Sequence, residues 1–369
     1  MMKILQLGKF YPIRGGVEKV MYDLMLGLSE AGVCCDMLCA STEDHPAAEI
    51  EVNPYARLYV VPTSLKVAGT MLAPGMISKL RKIAGHYDII HIHHPDPMAS
   101  LALYLSGYRG RVILHWHSDI LKQKNLLKLY KPLQNWLIKR ADQIVGTTPV
   151  YVEQSPFLQH VRDKIDYIPI GVTPMSYDEA AVANLRSRYA DKTLIFSLGR
   201  LVEYKGYAYL IEAMEQLDAH FHLIIGGKGP LEQQLKQLIA DLNLQDRISM
   251  AGFVADEDIP TYFGAADIFC LSSIWKTEAF AIVQIEAMSC GKPLVSTAIP
   301  GSGVSWVNQH QVSGLVVAPE NATALAQAIQ QIGSDAVRYQ AYADGGLKRY
   351  RENFTRDKMI EKCRRVYEK

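Results

Sequence analysis

The stretch Asp267-Ile-Phe-Cys-Leu-Ser-Ser, followed by Thr277-Glu-Ala-Phe-Ala-Ile-Val-Gln-Ile-Glu286-Ala-Met-Ser-Cys-Gly-Lys-Pro, is the most informative part of this chain. The first segment predicts a strand and the second a helix. Glu278 is therefore expected in a loop at the carboxyl end of a strand, where open α/β sheets bind ligands. Helical periodicity would return Glu286, eight residues on, close to the same face. Two such carboxylates can hold two hydroxyl-bearing parts of one ligand, whereas an amphipathic helix with two solvated acids is the alternative.

Short strand patterns alternate with helical patterns on both sides of this stretch. The first part of the chain predicts strands near residues 4–7, 33–39, 88–93, 112–115 and 143–146, with helices at 17–31, 76–85, 97–107 and 121–141. A break rich in proline and glycine follows at 168–174, and the pattern then restarts. The second part predicts strands near 193–199, 221–226, 247–252, 267–271, 293–297 and 314–317, with helices at 206–216, 229–242, 256–266, 280–290 and 321–333.

This alternation is typical of the α/β class with parallel sheets and helices on both faces. A chain of 369 residues exceeds the size at which one core usually stops growing. We therefore expect two doubly wound domains, 1–170 and 171–353, that face each other across a cleft, a common place for a ligand site. The tail after residue 334 is helical and polar in pattern.

Composition and charge exclude several classes of protein. Hydrophobic residues make up 49% of the chain and charged residues 21%, and the net charge is +1. The N-terminus does not have the pattern of a signal peptide, and no apolar run approaches the roughly 20 residues of a membrane span. No cysteine spacing matches a zinc site or a disulfide framework. A cytoplasmic protein with reduced thiols is expected, and a nucleic-acid partner is disfavoured because the chain is nearly neutral.

The segment 121–140 carries a local excess of positive charge. Six lysines and arginines alternate there with leucine, tryptophan and isoleucine, and the segment contains no acid. A basic amphipathic helix of this kind can lie on an anionic membrane surface. The alternative is a surface helix whose apolar stripe packs on its own domain. Peripheral association with the inner face of the cell membrane therefore stays open.

Two glycine-rich turns are candidate anion sites. Gly15 and Gly16 follow the first strand and open the first helix, where backbone amides can approach a phosphate or a sugar. The G-x-G-x-x-G fingerprint is absent there, which disfavours an NAD enzyme, and a role in the turn alone is the alternative. Arg200 and Lys205 follow the first strand of the second domain and suit phosphate binding. Solvated surface cations are the alternative for this pair.

Histidines cluster in the first domain. His91, His93 and His94 end one predicted strand, and His115 and His117 end the next. The count makes a zinc site conceivable, but neither a helical i, i+4 pair nor a cysteine partner supports it, so we expect no metal. Hydrogen bonding of these side chains to sugar hydroxyls fits better.

The order of these motifs resembles the retaining glycosyltransferases of the GT-B fold, in particular the family 4-like group with a glutamate-x7-glutamate signature that often works on bacterial surface polysaccharides. The resemblance covers nearly the whole chain. It rests on Gly15-Gly16-Val-Glu, His117-Ser-Asp, Gly199-Arg200 with Lys205-Gly206, Gly227-Lys-Gly-Pro, Glu278-Ala-Phe with Glu286-Ala-Met, and Gly291-Lys-Pro. It implies that the first domain binds the acceptor, that the second binds the nucleotide sugar, and that a final helix over 354–369 crosses back onto the first domain.

The resemblance also implies a role for each matching residue. Arg200 and Lys205 would bind the diphosphate and stabilise the leaving group, and Glu286 would accept hydrogen bonds from the ribose. Glu278 would hold hydroxyls of the transferred sugar beside the backbone of Phe280, Ala281 and Ile282. His117 would contact the sugar from the other domain, and Gly15 and Gly16 would lie near the diphosphate. Gly252, Phe253 and Val254 would border the base, and neither a metal ion nor another cofactor is implied.

The chain departs from the family pattern at two places. Ala279 and Ala281 stand where the family often has glycines, which would narrow the donor pocket. Ile170 stands where asparagine is frequent. Neither change removes a charged group that the chemistry needs.

The resulting hypothesis is transfer of a hexose from a GDP- or UDP-linked sugar to a saccharide acceptor, which we expect to be lipid-linked. Two alternatives of other classes stay open. A nucleotide-sugar epimerase of the same fold would consume donor without an acceptor. A non-catalytic sugar-nucleotide binding protein would bind donor without turnover.

Overall fold

The computed structural model describes residues 2–13, 15–42, 45–67, 70–120 and 124–369, with no side-chain description for 124–126. The chain forms two compact units. The N-terminal unit comprises residues 1–171 and 356–369, and the C-terminal unit comprises 172–355. Each unit is built around its own sheet.

Ten strands of the N-terminal unit lie in the described residues. Their bounds are β1 Lys3–Tyr11, β2 Cys34–Ser41, β3 Ala48–Asn53, β4 Ala56–Val61, β5 Leu65–Val67, β6 Thr70–Leu72, β7 Ile89–His94, β8 Arg111–Trp116, β9 Gln143–Gly146 and β10 Ile165–Tyr167. Eight of them form one sheet in the order β10-β9-β8-β7-β1-β2-β4-β3, and β5 pairs with β6 in a separate hairpin. The direction in which successive strands are added reverses between β1 and β7, which makes the space beyond the ends of these two strands a favoured ligand site.

The sheet departs from the purely parallel prediction at one edge. β3 runs antiparallel to β4, and the two strands are joined by a tight turn at Pro54 and Tyr55. The sequence patterns did not predict β3, β4, the β5–β6 hairpin or β10. β5, β6 and β10 have three residues each, and β3 lies at the sheet edge, where the apolar run is weak. β4 is a buried strand inside the sheet, and the pattern analysis missed its apolar run over 58–61.

In the described part of this unit, five α-helices connect the strands: α1 Gly16–Glu30, α2 Gly75–Ile83, α3 Pro97–Ser106, α4 Lys124–Arg140 and α5 Pro149–Glu153. The predicted helices over 17–31, 76–85 and 97–107 are confirmed to within two residues. The predicted helix over 121–141 is confirmed from Lys124 to Arg140, and residues 121–123 lie outside the described residues. Asp96 starts α3 by accepting a hydrogen bond from the Ala99 amide at 2.9 Å.

The C-terminal unit has a six-stranded sheet in the described residues. Its strands are β11 Thr193–Leu198, β12 Phe221–Gly226, β13 Ile248–Gly252, β14 Ile268–Leu271, β15 Leu294–Thr297 and β16 Gly314–Val317. All neighbours are parallel, in the order β13-β12-β11-β14-β15-β16. All six strands were predicted. The order reverses between β11 and β14, so the carboxyl ends of these two strands form the second switch point.

Helices cover both faces of this sheet: α6 Glu179–Ser187, α7 Tyr207–Glu215, α8 Glu232–Asp241, α9 Ile259–Ala265, α10 Ile282–Ser289, α11 Val304–Val307, α12 Ala322–Gly333 and α13 Ala336–Asn353. A buried apolar cluster fills the space between the sheet and α7, α8 and α12; it includes Leu210, Phe221, Leu223 and Ile329. This core fixes the strand ends on which the candidate site lies.

The last helix, α14 Arg356–Glu368, belongs to the N-terminal unit. Its buried residues recur with helical spacing and form one apolar stripe: Met359, Ile360, Cys363, Val366 and Tyr367. The stripe packs closely on α1 at Gly27, where a Cβ atom would lie only 1.9 Å from Ile360 Cδ1. The Arg111 guanidinium donates to the Val366 and Tyr367 carbonyls at the helix end, at 2.7 and 2.6 Å. In the described part of the chain, no helix is both long and apolar enough to cross a membrane.

Candidate active site

The turn after β11 places Lys205 at the switch point of the C-terminal sheet. A 3₁₀ turn over Glu203–Lys205 precedes Gly206, which has a φ of +65°. A Cβ at Gly206 would lie 2.2 Å from the Ser272 carbonyl oxygen, so only glycine allows the turn to lie against the end of β14. The Ser272 hydroxyl also donates to the Lys205 carbonyl at 2.9 Å. These contacts bring Lys205 beside the loop that carries Glu278.

Lys205 and Glu278 form a buried ion pair. Their Nζ and Oε2 atoms are 2.5 Å apart, and each side chain is 11% exposed. The Ser273 hydroxyl donates to the same Oε2 at 2.9 Å. Burial by itself would lower the pKa of Lys205, but the Glu278 carboxylate beside it raises that pKa above its usual value, so the ammonium stays charged.

Arg200 differs from Lys205 although it lies in the same turn. It is exposed, and its side chain makes no hydrogen bond or ion pair with any described residue. Its guanidinium can therefore reach a phosphate without first breaking an internal bond. The turn as a whole offers one exposed cation and one buried cation that is held by a carboxylate.

The loop between β14 and α10 holds Glu278 by backbone contacts. The Ser302 hydroxyl donates to the Glu278 carbonyl, and the Gly303 amide donates to the Ala279 carbonyl at 2.9 Å. Ala281, the residue before α10, has the left-handed φ of +62° that favours glycine. This backbone conformation is strained for an alanine, and the contacts of the neighbouring loop residues hold it in place.

The helical-face argument for the two glutamates is wrong. Glu278 lies in the loop, four residues before α10 begins at Ile282, so helical periodicity does not relate it to Glu286. The predicted loop position of Glu278 and helix position of Glu286 are both confirmed. Glu286 is 9% exposed and Phe280 is 4% exposed, so both side chains lie within the unit rather than on an open face.

The turn after β13 presents an exposed aromatic ring. Gly252 ends β13 with a φ of +70°, Phe253 is 70% exposed, and Val254 is buried. An exposed phenyl ring beside a strand end is available for stacking on a planar ligand group.

In the N-terminal unit, Gly15 and Gly16 lie at the start of α1, beyond the end of β1. A Cβ at Gly15 would lie 2.2 Å from the Glu18 carboxylate, which folds back over the first turn of the helix. Burial raises the pKa of Glu18, partly offset by the nearby Lys9. The Lys9 ammonium donates to the Pro95 carbonyl at 2.5 Å, and its amide donates to Asp96 at the same distance. A partly buried cluster of ionisable side chains, Lys9, Glu18 and Asp96, thus lies at this switch point.

His117 follows β8 and is 4% exposed. Its Nε2 lies 2.9 Å from His93 Nδ1, and its Nδ1 has no hydrogen-bond partner among the described residues. Burial lowers the pKa of His117 well below the usual histidine value, so the ring is neutral. Asp119 fixes the loop beyond it by accepting from the Trp116 indole at 2.9 Å and from the Ser155 hydroxyl at 2.8 Å.

The interpretation of the other histidines as sugar-binding groups at the strand ends is wrong. His91, His93 and His115 are fully buried, and His94 is 1% exposed. Residues spaced by two point to one face of a strand, so His91, His93, His115 and His117 form one stacked layer inside the unit. His94 points to the opposite face and stacks on Trp116.

Three of these rings could be taken for a metal centre. Nitrogen atoms of His91, His93 and His115 lie within 4.8 Å of one another. The interplanar angles among the three rings are 11° to 26°. A ligating imidazole has the ion in its own plane at about 2.0–2.1 Å, and nearly parallel stacked rings do not share such a point. This geometry is that of a packed layer of neutral rings.

The structure thus brings Lys205 and Glu278 together, and it assigns Gly15, Gly16 and His117 to the other unit. Sequence reasoning assigned no contact to Ser273, Ser302 or the Lys9–Asp96 pair, and it used Asp119 only as part of the His117-Ser-Asp motif. Ser273 ends the stretch 267–273 that predicts a strand, and Asp119 lies a few residues beyond the predicted strand 112–115, so both positions near a strand end were signals that could have found these contacts. Ser302 had no such signal, because its contact joins loops that are 24 residues apart.

Comparisons with known proteins agree with this architecture. The family described as Glycosyl transferases group 1 matches residues 184–349, and the family described as Glycosyltransferase Family 4 matches residues 14–175. The O-antigen chain mannosyltransferase C of Escherichia coli is 30% identical, with 99% of this chain and 98% of that protein covered. The D-rhamnosyltransferase WbpZ of Pseudomonas aeruginosa is 30% identical, with coverages of 96% and 92%.

Solved structures agree on the fold. The Anabaena protein HepE in complex with UDP superposes with a TM-score of 0.80 at 22% identity, and each chain is covered completely. HepE in complex with UDP-glucose gives a TM-score of 0.77. The sucrose-phosphate synthase of Thermosynechococcus elongatus gives 0.80 at 21% identity, over 100% of this chain and 98% of the other. The two units therefore have the GT-B fold, and the chain belongs to the group 1, family 4 glycosyltransferases.

Proposed function

We propose that this glycosyltransferase moves a hexose from a GDP- or UDP-linked sugar to a saccharide acceptor, with retention of anomeric configuration and without a metal ion. The observation that carries the proposal is the buried Lys205–Glu278 pair at the switch point of the C-terminal sheet. A diphosphate needs cations, and a sugar needs a fixed hydrogen-bond acceptor. This pair supplies both functions within one contact.

The donor would bind to the C-terminal unit. The exposed Arg200 and the ammonium of Lys205 would contact the diphosphate, and Glu278 would accept hydrogen bonds from sugar hydroxyls beside Phe280, Ala281 and Ile282. Glu286 would hold the ribose. Phe253 would stack on the base, with Gly252 and Val254 beside it. From the N-terminal unit, His117 would contact the sugar, and Gly15 and Gly16 would contact the diphosphate.

The reaction we propose is a front-face displacement. The bond from the anomeric carbon to the diphosphate oxygen breaks, and the acceptor oxygen bonds to the same face of the sugar. The acceptor's proton passes to the departing phosphate oxygen, whose charge Arg200 and Lys205 stabilise. Glu278 is a poor nucleophile in this arrangement, because Lys205 and Ser273 already engage its Oε2. A glycosyl adduct trapped on Glu278 would contradict this mechanism.

The acceptor is proposed to be lipid-linked, in surface polysaccharide assembly at the cytoplasmic face of the membrane. Support comes from an apolar pocket of about 310 Å³ in the N-terminal unit, beside α4. Leu101, Leu129, Tyr130 and Leu133 contribute to its lining, and Leu129 is 80% exposed. The exposed lysines 128 and 131 lie on the same helix and suit an anionic lipid headgroup. The names of the mannosyl- and rhamnosyltransferase relatives favour a hexose or deoxyhexose donor.

The activity test uses purified protein, GDP-mannose or UDP-glucose, and a polyprenyl-diphosphate-linked sugar. We expect a new glycoside whose anomeric configuration matches that of the donor, in the presence of EDTA. Glu278→Gln should lose most of the activity, while Lys236→Ala, an exposed and distant control, should not. Isomerised donor without acceptor would establish the epimerase, and tight donor binding without any product would establish the binding protein.

Membrane binding is tested separately by flotation with liposomes that contain anionic lipid. We expect the protein to float, and the double substitution Lys128→Glu/Lys131→Glu to abolish flotation. The control Lys236→Glu/Lys348→Glu makes the same change of charge at exposed positions of the C-terminal unit. Equal flotation of both double variants would contradict a specific role for α4.

A further inference from the structure

A chain of buried hydrogen bonds links the final helix to His117. Tyr367 of α14 contacts Gln6 of β1, with the Gln6 Nε2 and Tyr367 hydroxyl oxygen 3.0 Å apart. Gln6 Oε1 lies 2.8 Å from His93 Nε2, and His93 Nδ1 lies 2.9 Å from His117 Nε2. Gln6 and His93 are fully buried, and Tyr367 is 3% exposed. The chain lies wholly within the N-terminal unit.

The direction of the chain follows from counting donors and acceptors. Both hydrogens of the Gln6 amide are used, because Nε2 donates to Tyr367 and to Cys35 Sγ at 3.5 Å. Gln6 Oε1 can only accept, so His93 Nε2 must carry a hydrogen. A neutral imidazole has one donor and one acceptor, and burial keeps His93 neutral by lowering its pKa. His93 Nδ1 is therefore an acceptor, and His117 must donate from Nε2.

The other branch of the chain agrees with this direction. The Tyr367 hydroxyl accepts from Gln6, so its own hydrogen is free to go to His91 Nδ1, 2.6 Å away. Tyr367 thus has a donor on one side and an acceptor on the other. Each hydrogen bond from His91 to His117 thus has one donor and one acceptor, with no clash of two donors.

We propose that Gln6, His93 and Tyr367 are positioning residues that fix the Nε2–H tautomer of His117 and leave its Nδ1 lone pair to accept a hydrogen bond from a ligand hydroxyl. His117 Nδ1 is buried and has no partner among the described residues, a condition it shares with both ring nitrogens of His115, but His117 lies beyond the carboxyl end of its strand, where a ligand can bind. The identity of that ligand, the sugar of the donor, rests on the proposed function. The tautomer itself does not depend on it.

The tautomer can be measured directly by long-range ¹H–¹⁵N correlation spectra of the whole protein labelled with [¹⁵N]histidine, because protonated and unprotonated ring nitrogens differ strongly in ¹⁵N shift. The His117 signals are assigned by their loss in His117→Gln. We expect an unprotonated Nδ1 and a protonated Nε2 in the wild-type protein. A protonated Nδ1 would overturn the proposal without any variant being needed.

Variants test the role of the chain. Gln6→Leu removes the acceptor of His93, and Tyr367→Phe removes the partner that orients the Gln6 amide, so both should give a mixture of His117 tautomers. Tyr350→Phe is the matched control, since it removes a buried tyrosine hydroxyl bonded to the Val172 carbonyl in the other unit. It should leave the His117 signals unchanged. An unmixed His117 tautomer in folded Tyr367→Phe and Gln6→Leu would overturn the proposal.

Kinetics separate this proposal from the proposed function. In Tyr367→Phe we expect kcat/KM for the donor to fall about tenfold, as for loss of one oriented hydrogen bond to a ligand, while thermal stability falls no more than in Tyr350→Phe. If the protein shows the predicted His117 tautomer but binds no nucleotide sugar, the proposed function is refuted and the hydrogen-bond chain still holds. A mixed tautomer with unchanged kcat/KM would overturn the role of Nδ1 as the ligand acceptor.

Discussion

The two units bury polar groups of different kinds, although both are α/β units with a switch point within a mainly parallel sheet. The N-terminal unit buries a stacked layer of neutral histidines, whereas the C-terminal unit buries the Lys205–Glu278 ion pair. The buried neutral histidines make the stability of their unit depend on pH, because acid protonates these side chains when unfolding exposes them to water. An ion pair responds to loss of a partner, because the remaining charge is left without compensation. The same fold thus carries two kinds of sensitivity.

The largest expected effect is acid unfolding of the N-terminal unit. Burial lowers the pKa of five histidines there, to about 3 for His94 and His115. The unfolded chain binds these protons near pH 6.5 and the folded unit does not, so stability is lost as pH falls below about 6.5. Each histidine contributes about 1.4 kcal/mol per pH unit. The raised pKa values of Glu18, Asp23 and Asp96 act in the opposite direction, so we expect a net loss of roughly 3–7 kcal/mol per pH unit.

Single-tryptophan variants can follow the two units separately. Trp116 reports on the N-terminal unit and Trp306 on the C-terminal unit. We expect the Trp116 signal to change at higher pH than the Trp306 signal in an acid titration. His115→Leu removes one titrating group and should reduce the dependence of the unfolding free energy on pH by about 1.4 kcal/mol per pH unit. The substitution breaks no hydrogen bond in the described residues, because neither ring nitrogen of His115 has a partner there. Coincident transitions, or an earlier change at Trp306, would contradict the assignment.

Breaking the ion pair of the C-terminal unit should have the next largest effect. Glu278→Ala leaves the Lys205 ammonium buried without its partner, and we expect the free energy of unfolding to fall by about 3–5 kcal/mol. Urea unfolding followed at Trp306 measures this change. Glu232→Ala is the control, because it removes the solvent-screened Lys236–Glu232 pair and should change the free energy of unfolding far less. Equal losses in the two variants would mean that Lys205 is not held by Glu278.

A third contrast separates binding from stability. Phe253 is 70% exposed in the C-terminal unit, and Tyr104 is 52% exposed in the N-terminal unit. We expect Phe253→Ala to weaken nucleoside diphosphate binding by about 1–3 kcal/mol through loss of stacking on the base, with little change in stability. Tyr104→Ala should leave the affinity unchanged. Isothermal titration calorimetry would contradict the donor assignment if both variants bound alike.

The smallest expected effect concerns the backbone of the loop before α10. Ala281 has a φ of +62°, so Ala281→Gly should stabilise the C-terminal unit by about 0.5–1 kcal/mol. The neighbouring Ala279 lacks a positive φ, and Ala279→Gly should destabilise by a similar amount through chain entropy. Urea midpoints at constant slope measure both changes. Destabilisation of similar size by both substitutions would mean that the strain at Ala281 is absent.

Much of the C-terminal sheet could be predicted from the sequence, because its strands are buried on both faces and read as short apolar runs between helical patterns. The loop position of Glu278 followed from the same alternation. Its contact with Lys205 could not be predicted, since it depends on the pairing of β11 with β14, in which Ile195 lies beside Ile268. These two strands are distant in the sequence, and only the fold brings them together.

The histidine layer was misinterpreted for a related reason. Alternation in β7 and β8 correctly places His91, His93, His115 and His117 on one face, but it does not say whether that face meets solvent or protein. The closing contact comes from Tyr367, which is 276 residues from His91 in the chain. Burial of polar groups by so distant a helix leaves no local pattern in the sequence.

The most direct test of the central claim is a thermal-shift panel of GDP, UDP, ADP and their sugar conjugates, with and without EDTA, on the wild-type protein, Glu286→Ala and the exposed control Glu232→Ala. A ligand that binds only the folded protein raises the unfolding temperature. We predict stabilisation by one nucleotide family that is insensitive to EDTA, weakened in Glu286→Ala and unchanged in Glu232→Ala. Absence of stabilisation by every nucleotide, or stabilisation equal in Glu286→Ala and the wild-type protein, would contradict the proposed donor site.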